Sequence, residues 1–341
     1  MTVLVLRALG LGDLLTAVPA LRGIRRAFPD DHVVLATPAA LAALAYATGA
    51  VDEVLPASGL APLDLALIHD NAFIPDIAVN LHGRGPQSHR LLAELRPGRL
   101  LGFRRPEAGY SDGPRWVPGE YEVARWCRML AGHGVEACPG DLGLPAPASL
   151  RPGCVVVHPG AAHPRRRWPA ERFALVAAAL ANMGEDVVIS GSSAEARRAR
   201  EVADRAGLPR TAVLAGCTDV LALAGLVAAA RLVICGDTGV AHLATAFATP
   251  SVVLFGPVSP AEWGPPPGRP QHVALWSPGA DGHVTGTGDG AVDDGAVDRV
   301  LLATEAEEVL AAAERLLATQ EAATQEARPS TVPGLSSTPV R

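Results

Sequence analysis

The chemically capable side chains of this 341-residue chain fall in short stretches, each just after an apolar run. In Ala8-Leu9-Gly10-Leu11-Gly12-Asp13 the glycines permit close backbone approach, and Asp13 stands where a helix would begin. A carboxylate there can serve as a general base, or it can cap the helix through a side-chain oxygen. Between His158 and Pro169, Arg165, Arg166 and Arg167 follow a strand-like run and are bounded by prolines. Their guanidinium forks suit phosphate oxygens, and a solvated basic turn is the plainer alternative. Between Ser190 and Ala199, Ser193 can cap a helix whose first turn carries Glu195. That carboxylate can complement the helix dipole or accept hydrogen bonds from ribose hydroxyls. The most specific stretch is Gly236-Asp237-Thr238-Gly239, which leads from a strand into a helix with His242 one turn inside. The free amides of Thr238, Gly239 and Val240 would form an anion site that needs no lysine.

Composition narrows the chemistry. All 29 basic residues are arginine, which excludes a P-loop lysine, a Schiff-base lysine and a lysine general base. The net charge of −6 argues against a nucleic-acid partner. Acids crowd between Asp281 and Glu308, so the remainder is close to neutral and arginines can dominate a local site. Cys127, Cys138, Cys154, Cys217 and Cys235 are scattered, with no CxxC or Cys/His ligand spacing, so neither a disulfide frame nor a metal site is expected. Gly10-Leu11-Gly12-Asp13-Leu14-Leu15 is a weak dinucleotide fingerprint, because no acid closes the second strand at Ala36-Thr37. In the first half His82, Arg84, His89, Arg90, Arg104 and Arg105 flank two strand-like runs. Such a cluster suits an acceptor bearing carboxylate or phosphate, and a solvated surface fits it equally.

Elements that could position these residues alternate along the chain. Strand-like Val3–Leu6, 33–36, 77–81 and 100–103 are interleaved with helical 14–28, 39–47, 88–95 and 120–131, and the stretch 57–71 is ambiguous. Pro and Gly crowd together over 143–153, which reads as a linker. A second series follows: strands at 154–158, 186–190, 232–235 and 251–255, and helices at 170–183, 194–206, 220–229 and 240–248. The expectation is an α/β protein of two domains, 1–145 and 154–320. Residues 277–300 read as a Gly/Asp-rich loop, 304–318 as a last amphipathic helix, and 321–341 as a disordered tail. No apolar run reaches the roughly 18 residues of a membrane span, and the start lacks the pattern of a secretory signal, so a cytoplasmic location is expected.

The order LGLGDLLTAVPAL, AVNLHGRGPQSHRLLAEL, HPGAAHPRRRWPAERF, ISGSSAE and CGDTGVAHLATAFATPSVVLFGP resembles glycosyltransferase family 9, that of the lipopolysaccharide-core ADP-heptose heptosyltransferases. The resemblance covers roughly residues 1–275. It implies a GT-B fold: two Rossmann-like domains with parallel sheets facing an interdomain cleft, acceptor on the N-terminal side and nucleotide sugar on the C-terminal side. In this architecture the last helix commonly packs back across the domain boundary. Enzymes of this family invert the anomeric centre and need no metal, so no cofactor is implied. By the same resemblance Asp13 is the catalytic base; Arg166 or Arg167, with Thr238, Gly239 and Val240, holds the donor diphosphate; and Glu195, Asp237 and His242 hold the ribose and sugar. Gly12, Arg84 and Arg90 are expected on the acceptor side. Ala161 and Ala162 depart from the family's usual hydroxyl residues, which bears on the identity of the sugar. The implied partners are a nucleotide-sugar donor, ADP-linked heptose first, and a glycan or small glycoside acceptor. A lipid-linked acceptor would make the protein peripheral at the inner membrane face. The alternatives are a nucleotide-sugar epimerase of the same fold and a glycosyltransferase of secondary metabolism using another donor.

Overall fold

The computed structural model describes residues 1–67, 74–149, 151–277 and 296–326. The first sheet is formed by β1 (Thr2–Leu6), β2 (His32–Thr37), β3 (Glu53–Pro56), β4 (Ile77–Asn80) and β5 (Arg99–Leu101), all parallel, in the order β3-β2-β1-β4-β5. Its helices are α1 (Leu11–Ala27), α2 (Ala42–Ala47), α3 (Gln87–Ala93) and α4 (Glu122–Ala131). β1 is an unbroken apolar run because helices cover both faces of a parallel sheet, and Val3 to Leu6 are fully buried.

A second parallel sheet has the order β10-β9-β8-β6-β7, from β6 (Val155–His158), β7 (Val187–Ile189), β8 (Leu232–Gly236), β9 (Ser251–Leu254) and β10 (His272–Leu275). Around it lie α5 (Ala170–Asn182), α6 (Ala196–Arg205), α7 (Val220–Ala228), α8 (Gly239–Ala246), α9 (Pro260–Trp263), α10 (Arg299–Ala303) and α11 (Ala306–Glu326). Strand order reverses between β1 and β4 in the first sheet and between β6 and β8 in the second. In open α/β sheets the crevice at such a point, beyond the carboxyl ends of the strands, is where ligands bind.

One hydrophobic cluster runs through both halves, joining Leu14, Leu21 and Ile24 of α1 to Val240, Leu243 and Ala244 of α8 and to Phe255. The linker is fastened as well: Arg22 donates to the Gly143 carbonyl at 2.7 Å, and the Leu144 amide donates to the Ala246 carbonyl at 3.3 Å. The two domains therefore meet as packed surfaces.

The last helix departs from expectation at its end and in its packing. α11 continues to Glu326, past the expected start of a disordered tail at 321, since Gln320-Glu321-Ala322-Ala323 still favours helix and proline enters only at Pro329. It lies against α5, β8 and β9, with Val309, Ala312 and Ala313 buried in the second domain's own core instead of bridging back to the first. Residues 327–341, and 278–295 of the expected Gly/Asp-rich loop, lie outside the described residues. Among the described residues no helix is long and apolar enough to cross a membrane.

Candidate functional site

The first wall of the site is the turn from β1 to α1. Asp13 lies in the first turn of α1, where its Oδ2 accepts the Gly10 amide at 3.1 Å and its Oδ1 lies 3.5 Å from the Arg7 guanidinium. The side chain is still 29% exposed, so Asp13 caps the helix and lines a cavity at the same time. The cap uses Oδ2, and Oδ1 is the oxygen beside Arg7.

Arg7, which sequence reasoning missed, is 1% exposed directly beneath Asp13. Its Nε donates to the Asp13 carbonyl at 3.0 Å, one terminal nitrogen donates to the Leu81 carbonyl, and the other reaches Thr16 Oγ1 at 3.2 Å and Glu122 Oε1 at 3.1 Å. Its guanidinium also lies 4.7 Å from the ring centroid of Trp126. The available signal was an arginine immediately after a run of four apolar residues, Val3 to Leu6, which strand pairing is bound to bury.

His82, just past β4, shares this end of the sheet, and burial together with the Arg7 charge lowers its pKa to about 4. Its Nδ1 is buried with no hydrogen-bond partner among the described residues.

The second wall comes from loops at the carboxyl ends of β6, β7 and β8. Arg166 lines the cavity and approaches Asp237 Oδ2 at 3.3 Å. Arg167 turns the other way, with Nε donating to the Ala161 carbonyl at 2.8 Å and a terminal nitrogen to the Ala162 carbonyl at 3.3 Å, so it braces its own loop. Asp237 is 8% exposed, and burial raises its pKa against the opposing pull of Arg166 and His242. Thr238 sits at the N-cap of α8 with its hydroxyl oxygen buried and unpartnered among the described residues. The amides of Gly239 and Val240 occupy the first turn of α8, where no intrahelical acceptor exists.

Glu195 closes a capping box in which its Oε2 accepts the Ser192 amide and hydroxyl, each at 2.8 Å. The capping residue is thus Ser192, one position before the Ser193 expected from sequence. Burial alone would raise the Glu195 carboxyl, but the Ser192 amide and the nearby His158 outweigh it and hold the group below the usual range. Its other oxygen faces Gly160, where a Cβ would come within 2.1 Å. His158 is buried, donates to or accepts from Ser190 Oγ at 3.0 Å through Nδ1, and burial lowers its pKa against the opposing pull of Glu195.

The walls meet where the first turns of α1 and α8 abut. A Cβ on Gly12 would stand 2.9 Å from His242 Cδ2, and one on Gly239 would stand 2.7 Å from Leu11 Cβ, so only glycine allows these turns to touch. Burial lowers the His242 pKa, and the ring meets that of Trp263 edge-on, centroids 5.9 Å apart. Asp13, Gly12, Arg166, Glu195, Asp237, Thr238, Gly239 and His242 together line one cavity of about 480 Å3, with Trp263 as a member that sequence reasoning did not single out. Val240 is buried behind that wall.

The expected acceptor arginines are placed elsewhere. Arg90 lies on α3, exposed, with its guanidinium on the Glu107 carbonyl at 2.9 Å, and the exposed Arg84 is likewise outside the cavity lining. His89 is structural: Nε2 donates to the Phe103 carbonyl at 2.8 Å and Nδ1 faces the Asn80 amide at 3.0 Å. Of this cluster Arg84, Arg90 and Arg104 are exposed, His89 is buried, and His82 feels the charge of Asp13.

Residues 144–282 match the model of glycosyltransferase family 9 (heptosyltransferase). Lipopolysaccharide heptosyltransferase 1 of Pseudomonas aeruginosa is 35% identical over 151 residues, 42% of this chain and 41% of that protein. Lipopolysaccharide heptosyltransferase 2 of Salmonella typhimurium is 35% identical over 100 residues, 28% of this chain and 29% of that protein. The chain thus matches less than half the length of these curated relatives. Among solved structures, ADP-heptose heptosyltransferase II of Escherichia coli superposes with a TM-score of 0.73 at 20% identity, covering 94% of this chain and 100% of that one. A family 9 glycosyltransferase of Veillonella parvula superposes with a TM-score of 0.75 at 21% identity, covering 93% and 97%. The fold is therefore GT-B, and the chain is glycosyltransferase family 9-like, similar in the sequence of its second domain to the heptosyltransferases.

Proposed function

We propose that this chain is an inverting glycosyltransferase that moves a heptose from an ADP-linked donor to a glycan or glycoside acceptor, without a catalytic metal. The observation that carries the reading is that Asp13 of one domain and Arg166, Glu195 and Thr238 of the other line the same cavity, whose 480 Å3 is of ligand size. A carboxylate on the wall opposite the nucleotide-type loops supports transfer to a second substrate over epimerisation of the donor alone.

In this reading the acceptor oxygen attacks the anomeric carbon as the bond from that carbon to the phosphate oxygen breaks. The acceptor proton passes to Asp13, and the bonding pair leaves with the nucleoside diphosphate. Single displacement inverts the centre. Charge developing on the diphosphate meets Arg166, the Thr238 hydroxyl and the amides at the start of α8, all fixed before reaction. Glu195 holds the ribose with the oxygen not used in its capping box. Packed domains exclude the water that would otherwise hydrolyse the donor. The reaction would run in the cytoplasm, at the inner membrane face where the acceptor is lipid-linked.

Asp13→Asn tests the reading. Turnover of ADP-heptose should fall by roughly 10²–10⁴, the usual share of a general base, while calorimetric affinity for ADP stays the same. Turnover should also persist in a chelator. Near-normal turnover by the variant would reduce Asp13 to a helix cap, and abolition by chelator would refute the metal-free route.

A further inference from the structure

The order of strands in the second sheet lays out its cavity-lining residues in a line. Glu195 follows β7, Arg166 follows β6, Asp237 and Thr238 follow β8, and Trp263 follows β9, with β7-β6-β8-β9 adjacent in that order. At about 4.8 Å per strand the line runs roughly 14 Å from Glu195 to Trp263. That span suits a ribose, two phosphates and one further sugar laid end to end. With Glu195 on the ribose and Arg166 on the diphosphate, the sugar falls at the Trp263 end, which is also where Gly12 and His242 bring Asp13 across from the other domain.

Trp263 is built as a rigid platform. It closes the single turn α9, whose N-cap Ser259 accepts the Ala261 amide at 3.1 Å, with Pro260 in its first turn. The turn ends at Gly264, where a Cβ would strike the Pro260 carbonyl at 2.3 Å. The indole is half-buried against the core and edge-on to His242. The Nε1 groups of Trp126, Trp168 and Trp276 donate to Glu122, Thr304 and Gly256, whereas those of Trp116 and Trp263 meet no acceptor among the described residues, and of these two only Trp263 lines the cavity. An aromatic face carries partial negative charge and is a poor neighbour for phosphate, but it suits the apolar C–H face of a pyranose, with the indole N–H left for a hydroxyl.

We propose that Trp263 is the stacking platform for the transferred sugar and sets the affinity for the glycosyl part of the donor. This rests on the transferase reading above. Calorimetry with ADP and with ADP-heptose on wild type, Trp263→Ala and Trp263→Phe separates the two. Trp263→Ala should lose roughly three- to tenfold in affinity for ADP-heptose and none for ADP, and Trp263→Phe should recover most of the loss. In wild type, tryptophan emission should change on adding ADP-heptose more than on adding ADP, and Trp263→Phe should abolish the difference, a readout that does not require the alanine variant to fold. Equal loss for both ligands would put the base on Trp263 and overturn the proposal, as would no loss for either. A wild-type protein that binds neither ligand would overturn the transferase reading itself.

Discussion

Arg7 is where the fold and the chemistry share one side chain, and Arg7→Met isolates it. The variant fills similar volume but removes the donors to the Asp13 and Leu81 carbonyls, to Thr16 Oγ1 and to Glu122 Oε1. Breaking a buried ion pair by removing one partner costs about 3–5 kcal/mol, because the other charge is left uncompensated. Glu122 keeps Trp126 Nε1 at 2.7 Å and Arg125, so the lower end applies, about 3 kcal/mol. At roughly 2–4 °C per kcal/mol for a large domain, Tm should drop by about 6–12 °C. Asp13 also loses the cation 3.5 Å from its Oδ1 and the brace on its own carbonyl, so kcat should fall while affinity for ADP, proposed to bind on the opposite wall, is retained. Arg7→Lys restores charge but not the fork and should recover only part of either loss. Thermal melting and steady-state kinetics on both variants suffice. An Arg7→Met protein with unchanged Tm and kcat would refute the reasoning, since a fully buried guanidinium cannot be removed without consequence if it holds both elements.

Arg166→Ala should weaken ADP binding by roughly tenfold, the scale of a hydrogen bond to a charged group, whereas Arg167→Ala should act mainly on stability because it braces Ala161 and Ala162; the reverse ranking by calorimetry would put the phosphates on the wrong arginine. His82 and His272 are both lowered to about 4 by burial, below the unfolded value near 6.5, so the folded state binds fewer protons and stability is lost as pH falls from about 6.5 to about 4. His272→Gln should flatten the dependence of Tm on pH across that window, and an unaltered slope would show that this histidine does not titrate with unfolding.

Most of the site was legible because its residues stand directly after apolar strands, and that position alone predicts the mouth of a parallel sheet. What was hidden required three dimensions. β3 and β10 escaped notice because Glu53–Pro56 and His272–Leu275 are short edge strands with polar or proline ends, and pairing with a single neighbour asks little of them. Arg166 and Arg167 are adjacent in sequence and identical in type; the turn at Pro164–Arg166 sends one toward Asp237 and the other back along its loop. The acceptor side misled because charge alone was used: Arg84 and Arg90 are conspicuous in sequence and point outward, while Arg7, hidden next to a hydrophobic run, supports Asp13 from below.

The cavity contains three carboxylates, Asp13, Glu195 and Asp237, against one arginine, Arg166, besides the histidines His158, His163 and His242, which is unexpected for a site proposed to hold a diphosphate. The arrangement of each acid offsets the excess. Glu195 is tied to Ser192 at the end proposed for the ribose, and Asp13 is drawn toward Arg7 on the far wall. Asp237 alone faces Arg166, and burial favours its protonated form. The first turns of α1 and α8 converge on the same space and add the positive ends of two helix dipoles. A carboxyl whose pKa is raised by burial neutralises the arginine a phosphate needs less readily than an exposed one would. Asp237→Asn, which copies the protonated shape, should therefore leave ADP affinity unchanged or tighter, by up to about tenfold if the ionised form competes at neutral pH. Donor turnover in the same variant should fall, because a neutral amide replaces whatever hydrogen bonds the acid accepts from the sugar. If Asp237→Asn weakened ADP by tenfold, the acid would be a direct partner of the nucleotide, and the claim that Arg166 and the helix ends carry the phosphates would fail.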